Sequence, residues 1–88
     1  MIYVEVYVAP GCKYCPKAVE IVEEAVGELR SQGYMVDIKV KNVYENWESF
    51  SRYGKDAVPL IAVDGRLVAV GIPPLLKRKI VKTVKQIR

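Results

Sequence analysis

Histidine is absent from this 88-residue chain, cysteine occurs only twice, and tryptophan and phenylalanine occur once each. Two cysteines are too few for the disulfide framework of a small secreted scaffold. Without histidine they also fall short of the four ligands of a closed zinc site, which only a dimer sharing four thiolates could supply. No apolar run approaches the roughly 18 residues of a membrane-spanning helix. Strand-like sequence begins at Ile2, directly after Met1, leaving no charged n-region, apolar h-region or cleavage site of an export signal. These absences point to a cytoplasmic protein, where a close cysteine pair is catalytic or metal-binding more often than a permanent staple. The length allows one domain, residues 1–88, with no room for a second lobe or an enclosed cofactor. Repeats, linkers and low-complexity tracts are also missing. Acidic residues are missing from one segment only: residues 71–88 carry six Lys/Arg and no acid, whereas residues 1–70 carry eight Lys/Arg against ten Asp/Glu. The net +4 is therefore local to the C-terminal segment.

What is present is apolar and periodic. Hydrophobic residues make up 51%, enough for a packed core and too many for a disordered chain. Ile2, Val4, Val6 and Val8 alternate with Tyr3, Glu5 and Tyr7, the period of a strand. Ala9-Pro10-Gly11 breaks it. A helix follows, beginning with Cys12 near its N-cap and ending at Ser31-Gln32-Gly33. Ala18, Val22, Ala25 and Leu29 form its buried stripe, Val19 and Val26 widen it, and Gly33 is the left-handed cap. Tyr34 to Lys41 reads as a second strand with Val36, Ile38 and Val40 on one face, parallel to the first because a helix connects them. A short helix is expected over Tyr44 to Tyr53, with Trp47 and Phe50 both anchoring it in the core. Leu60 to Val63 and Leu67 to Val70 form a hairpin about Asp64-Gly65, a pair suited to a type I′ turn. Gly71-Ile72-Pro73-Pro74 leads into a last helix that buries Leu76, Ile80, Val84 and Ile87 and exposes Lys77, Arg78, Lys79, Lys82, Lys85 and Arg88. The order is β-α-β-α-β-β-α, an α/β fold.

Both cysteines fall in Pro10-Gly11-Cys12-Lys13-Tyr14-Cys15-Pro16, where the first strand hands over to the first helix. Unpaired N–H groups and the helix dipole favour negative charge there, and the thiolate is the reactive form of cysteine. Lys13 and Lys17 add positive charge and should hold the Cys12 thiol below its free value of about 8.5. A spacing of two lets one sulfur reach the other within a single helical turn. The pattern reads as a thiol–disulfide exchange site.

This order, with C-x-x-C after the first strand, resembles the thioredoxin fold, and most closely the small archaeal thioredoxin/glutaredoxin-like proteins. The likeness covers nearly the whole chain. Cys12-Lys13-Tyr14-Cys15-Pro16 and the run after it are similar to the family's active-site helix. Tyr53-Gly54 and Ala57-Val58-Pro59 are similar to its second helix end and cis-proline loop. Val63-Asp64-Gly65 and Val70-Gly71 are similar to its hairpin and exit turn. The resemblance implies a central mixed four-stranded sheet with helices on both faces. It also implies that Cys12 attacks, that Cys15 resolves, and that the two form the redox-active disulfide. Val58–Pro59 is then a cis bond beside them, with the Val58 backbone free to pair with extended substrate. The rim around the pair would be Gly11, Lys13 and Tyr14 from one loop, Val58 and Pro59 from a second, Gly71 and Ile72 from a third.

The sequence also departs from the family. Gly11 stands where thioredoxins have tryptophan, and Val6 where most have a buried aspartate that serves the resolving thiol; Glu5 beside it faces the other way. The glutaredoxin G-G-x-D segment that holds the glutathione carboxylate is replaced by Gly71-Ile72-Pro73-Pro74, which argues against glutathione as the natural partner. The implied partners are disulfide-containing proteins and a flavin-dependent thioredoxin reductase, with no cofactor or metal on the chain itself, which would act as a monomer. One alternative is a soft-metal carrier binding Cu(I) through the same two thiolates. Copper chaperones, however, run β-α-β-β-α-β, whereas this chain ends in a helix. A docking subunit whose cysteines are incidental is a third possibility. Tyr14 is either an exposed spacer or an aromatic substrate contact. The basic last helix is either a solvated face or a dock for an acidic partner. No aromatic residue interleaves its charges, which argues against nucleic acid.

Overall fold

The computed structural model describes residues 1–87. Arg88, expected on the polar face of the last helix, lies outside them. The elements are β1 (Ile2–Val8), α1 (Cys15–Ser31), β2 (Val36–Asn42), α2 (Trp47–Ser51), β3 (Leu60–Val63), β4 (Arg66–Val70) and α3 (Leu76–Ile87), in the order expected. They form a four-stranded sheet of order β2-β1-β3-β4, in which β1 runs parallel to β2 and antiparallel to β3. The hairpin tip has positive φ at both Asp64 (46°) and Gly65 (84°), as a type I′ turn requires. It is tied back to β1, since the Tyr3 N–H donates to Asp64 Oδ1 (2.9 Å) and the Asp64 N–H to the Tyr3 carbonyl (3.0 Å).

Alternation along β1 sorts its side chains onto two faces. Ile2, Val4 and Val6 join Ile61 and Val63 of β3 under α1 and α3, which supply Ala18, Val22, Leu29, Leu76, Ile80 and Val84 to the larger core. Tyr7 goes the other way. It is fully buried with Leu60 and Ala62 beneath α2, where Phe50 and Val43 complete a smaller cluster. Helices thus cover both faces, but α2 is only five residues long and leaves part of its side open. Helix α1 ends in a Schellman arrangement about Gly33 (φ 91°): the Tyr34 N–H reaches the Leu29 carbonyl and the Gly33 N–H that of Arg30, both at 3.0 Å. No described helix is long and apolar enough to cross a membrane.

Two expectations need correction here. Trp47 is not core: it is 55% exposed, touching Phe50 at 5.6 Å between ring centroids. A helix of little more than one turn has room for one inward position, and Phe50 takes it, with Tyr53 and Val43 filling the flanks. Val40 is 53% exposed, although it shares a face with buried Val36. The reason is that β2 is an edge strand whose far end α1 does not cover. As expected, Gly71-Ile72-Pro73-Pro74 is a connection, and α3 begins after Leu75, a left-handed residue (φ 62°).

Truncating the single inward anchor of α2 should cost far more than truncating its neighbour. Phe50→Ala is expected to lower unfolding free energy by about 3 kcal/mol, and Trp47→Ala by less than about 1 kcal/mol. Urea denaturation followed by circular dichroism measures both, and equal losses would contradict the packing described.

Candidate active site

Three chain segments meet at one end of the sheet. Tyr7 is paired with Leu60 and Leu60 with Val70, so the next row brings together Val8, Pro59 and Gly71. The chain leaves β1 at Val8 toward the cysteines, enters β3 through Val58–Pro59, and leaves β4 through Gly71. The Val58–Pro59 bond is cis, and the Gly71 N–H donates to the Pro59 carbonyl at 2.7 Å, joining the second and third segments directly. Pro59 is buried and Val58 half-buried on the α2-side cluster; Ile72 packs on the larger core.

The cysteine segment is shaped by two residues. Gly11 takes φ of 78°, which turns the chain so that the Cys12 N–H reaches the Ala9 carbonyl (3.2 Å). Pro16 then sets where the helix starts. It has no N–H to give to the Cys12 carbonyl, so the helical ladder cannot begin there. The first intrahelical bond of α1 is Ala18 N–H to Tyr14 carbonyl (3.0 Å), and Tyr14, not Cys12, is the N-cap. Cys15 is therefore the first helical residue, and Cys12 stands three residues ahead of it in the turn. No side chain caps the free N–H groups of the first turn and no acid sits in it, so the site keeps its preference for negative charge.

Cys12 and Cys15 are joined as a disulfide with their Cα atoms 5.5 Å apart. Cys15 is 5% exposed, while Cys12 is half-buried. Lys13 and Tyr14 project outward, the Lys13 Nζ lying 5.9 Å from the Tyr14 ring centroid. Lys17 is exposed and faces Glu20 at 3.7 Å, which offsets part of the charge expected to act on Cys12. Beside the disulfide, on the β2 side, runs an open groove of about 270 Å³.

A family model for the thioredoxin domain matches residues 2–85. The chain belongs to the thioredoxin family. It is 37% identical over 73 residues to a probable thioredoxin of Methanothermobacter thermautotrophicus, covering 83% of this chain and 82% of that one. It is 32% identical over 83 residues to a thioredoxin of Methanocaldococcus jannaschii, covering 94% and 92%. Among solved structures it is similar to a protein disulfide oxidoreductase from Aeropyrum pernix (TM-score 0.74, 34% identity). That match takes in 96% of this chain but spans only 36% of the longer protein. With a C-x-x-C disulfide in this family, the chain is an oxidoreductase of thioredoxin type.

Against that family, the polar group missing at Val6 is not restored nearby. Val6 is fully buried and its register partner on β2 is Val40, so an apolar pair occupies the row. Glu5, on the opposite face, is committed elsewhere. Its carboxylate accepts from Lys41 Nζ (2.8 Å) and from the Tyr53 hydroxyl (3.3 Å). This cluster, with Tyr3 and Lys39 stacked at 4.1 Å, lines an open cavity of about 520 Å³ on the side of the sheet that α2 leaves uncovered. Sequence patterning did not reveal it, because Lys41 and Tyr53 meet Glu5 only through strand register and the position of α2.

Burial first, and the Glu5 carboxylate second, push the Tyr53 phenol up from 10.0 to about 12. The hydrogen bond to Glu5 also raises Lys41. Both groups hold their protons more tightly folded than unfolded. Their contribution is therefore complete below about pH 10 and is lost as pH rises toward 12. Tyr53→Phe keeps the ring but removes the titrating group. Its urea midpoint should fall less than that of the native protein between pH 9.5 and 12; parallel losses would refute the coupling.

Proposed function

We propose that this thioredoxin-family protein reduces disulfides in protein substrates, with Cys12 as the attacking thiol and Cys15 as the resolving one. The observation that carries the reading is the contrast within the pair: Cys12 is accessible in the turn ahead of an uncapped helix start, and Cys15 is buried in the first turn. The Cys12 thiolate attacks one sulfur of the substrate disulfide, and a mixed disulfide forms as the other substrate sulfur leaves as a thiolate. Cys15, losing its proton, then attacks the Cys12 sulfur. The second substrate thiolate departs, protons from water complete both thiols, and the Cys12–Cys15 disulfide carries away the two electrons' deficit.

Around this pair, Val58 offers backbone beside the cis bond to an extended substrate segment, and Pro59 leaves no N–H pointing at the sulfurs. Gly11 and Gly71 keep the approach low, Lys13 and Tyr14 supply exposed contacts, and Ile72 supports its loop from the core. The oxidised form is recycled by a reductase, for which a flavin-dependent thioredoxin reductase is our choice by family likeness. Glutathione is disfavoured because Gly71-Ile72-Pro73-Pro74 carries no side chain to hold its carboxylate. The protein acts as a monomer in the cytoplasm, where substrate thiols are kept reduced.

Insulin reduction driven by dithiothreitol tests the assignment. Cys12→Ser should abolish catalysis, and Cys15→Ser should accumulate a mixed disulfide visible on a non-reducing gel. Catalysis surviving Cys12→Ser, or trapping by Cys12→Ser instead of Cys15→Ser, would overturn it.

A further inference from the structure

The groove beside the disulfide is lined by Val8 and Ala9 from the end of β1, Pro16 and Val19 from α1, Val40 from β2, and Gly11 with both cysteines at its head. None of these residues other than the cysteines carries a polar side-chain atom. Strand order puts the groove on the β2 side of β1, and the Val58–Pro59 loop on the β3 side. A substrate bonded to the Cys12 sulfur therefore has two flanks: one faces the backbone of the proline loop, the other faces this groove.

We propose that the groove is a specificity pocket for one apolar side chain next to the substrate cysteine, so that the preferred substrates are polypeptide disulfides flanked by an aliphatic or aromatic residue. The proposal rests on the reading of Cys12 as the attacking thiol. Three features of the molecule argue for it. The groove is continuous with the reacting sulfurs, so an occupant is delivered by the mixed disulfide itself. Its volume, about 270 Å³, lies at the lower edge of the roughly 300 to 1,000 Å³ of pockets that enclose small-molecule ligands, and has room for one side chain, a large aromatic one included. Apart from the cysteines its walls offer no side-chain partner for a charge or hydrogen bond, so a polar side chain would lose more water than it replaces, whereas an apolar one releases it.

Val40 is the residue that sets this property. It is 53% exposed on an edge strand, more than a valine needs to be for the fold, and it forms the outer wall. Gly11 puts no side chain at the mouth, and its φ of 78° is a conformation that strains other residues.

The test uses pre-reduced protein in single-turnover reactions with synthetic peptide disulfides that differ at one position, with Leu, Ser or Lys placed in turn before and after the cysteine. The native protein should reduce the Leu peptide about five- to tenfold faster than the Ser peptide at one of the two flanks. Val40→Ser should bring that ratio below about twofold, and Val40→Asp should move the preference to the Lys peptide. Met35→Ser, a change at an exposed residue away from the groove, should leave the ratio as it is. Ratios are read within each protein, so a general loss of activity or stability cancels. A native ratio of about twofold or less at both flanks, or a ratio that Val40→Ser does not lower, would overturn the proposal. If no peptide is reduced while dithiothreitol still exchanges with Cys12–Cys15, the protein-substrate reading itself fails, and the groove's role falls with it.

Discussion

Strand β1 is hydrogen-bonded along both edges and packed on both faces, and the rest of the molecule is positioned by it. It pairs with β2 over its whole length and with β3 from Val4 to Tyr7, so neither edge is left to solvent there. Its even-numbered residues anchor α1 and α3, and Tyr7 anchors α2. Because the strand is held on all sides, the point where it ends is held too. That end is where the cysteine segment starts and where Pro59 and Gly71 lie alongside. The redox site is thus a consequence of register: three loops with no sequence proximity share one row of a sheet whose central strand cannot slip without moving every side chain to the wrong face.

Local chemistry then refines what register brings together. Pro16 denies the Cys12 carbonyl a helical partner and delays α1 by three residues, which leaves Cys12 in a turn and Cys15 in the helix. The delay separates the two thiols in exposure while the disulfide still joins them. The row beneath is apolar, Val6 against Val40, where the family more often has a carboxylate. Glu5, next to Val6 in sequence, is engaged by Lys41 and Tyr53 on the other face. Apart from the two cysteines, no ionisable side chain lines the groove at Cys15.

Much of this was legible in residue order. The seven elements, the C-x-x-C at the strand-to-helix junction, the Gly33 cap and the Asp64-Gly65 turn all rest on near-neighbour patterns or on residues with one conformational use, whereas the mixed four-stranded sheet followed from the family resemblance. The misjudged residues share a cause. Trp47 and Phe50 are both large, apolar and three apart, and composition does not say that α2 is too short to bury two. Val36 and Val40 are equivalent by alternation, yet one is buried and the other open, because an alternating pattern does not report that its strand lies at the edge. Cys12 was placed at the N-cap by its junction, although the lack of an N–H on Pro16 was there to be read.

By itself, then, the amino-acid order determined what each segment becomes and which two sulfur atoms are joined, since periodicity, turn residues and the spacing of two cysteines act within a few residues of chain. Only the tertiary structure decided what surrounds those atoms. Whether a valine packs in a core or walls a groove, and whether a glutamate serves a thiol or a lysine, depends on the strand beside it and the helix above it. Those neighbours come from distant parts of the chain, brought into contact by sheet register and helix packing.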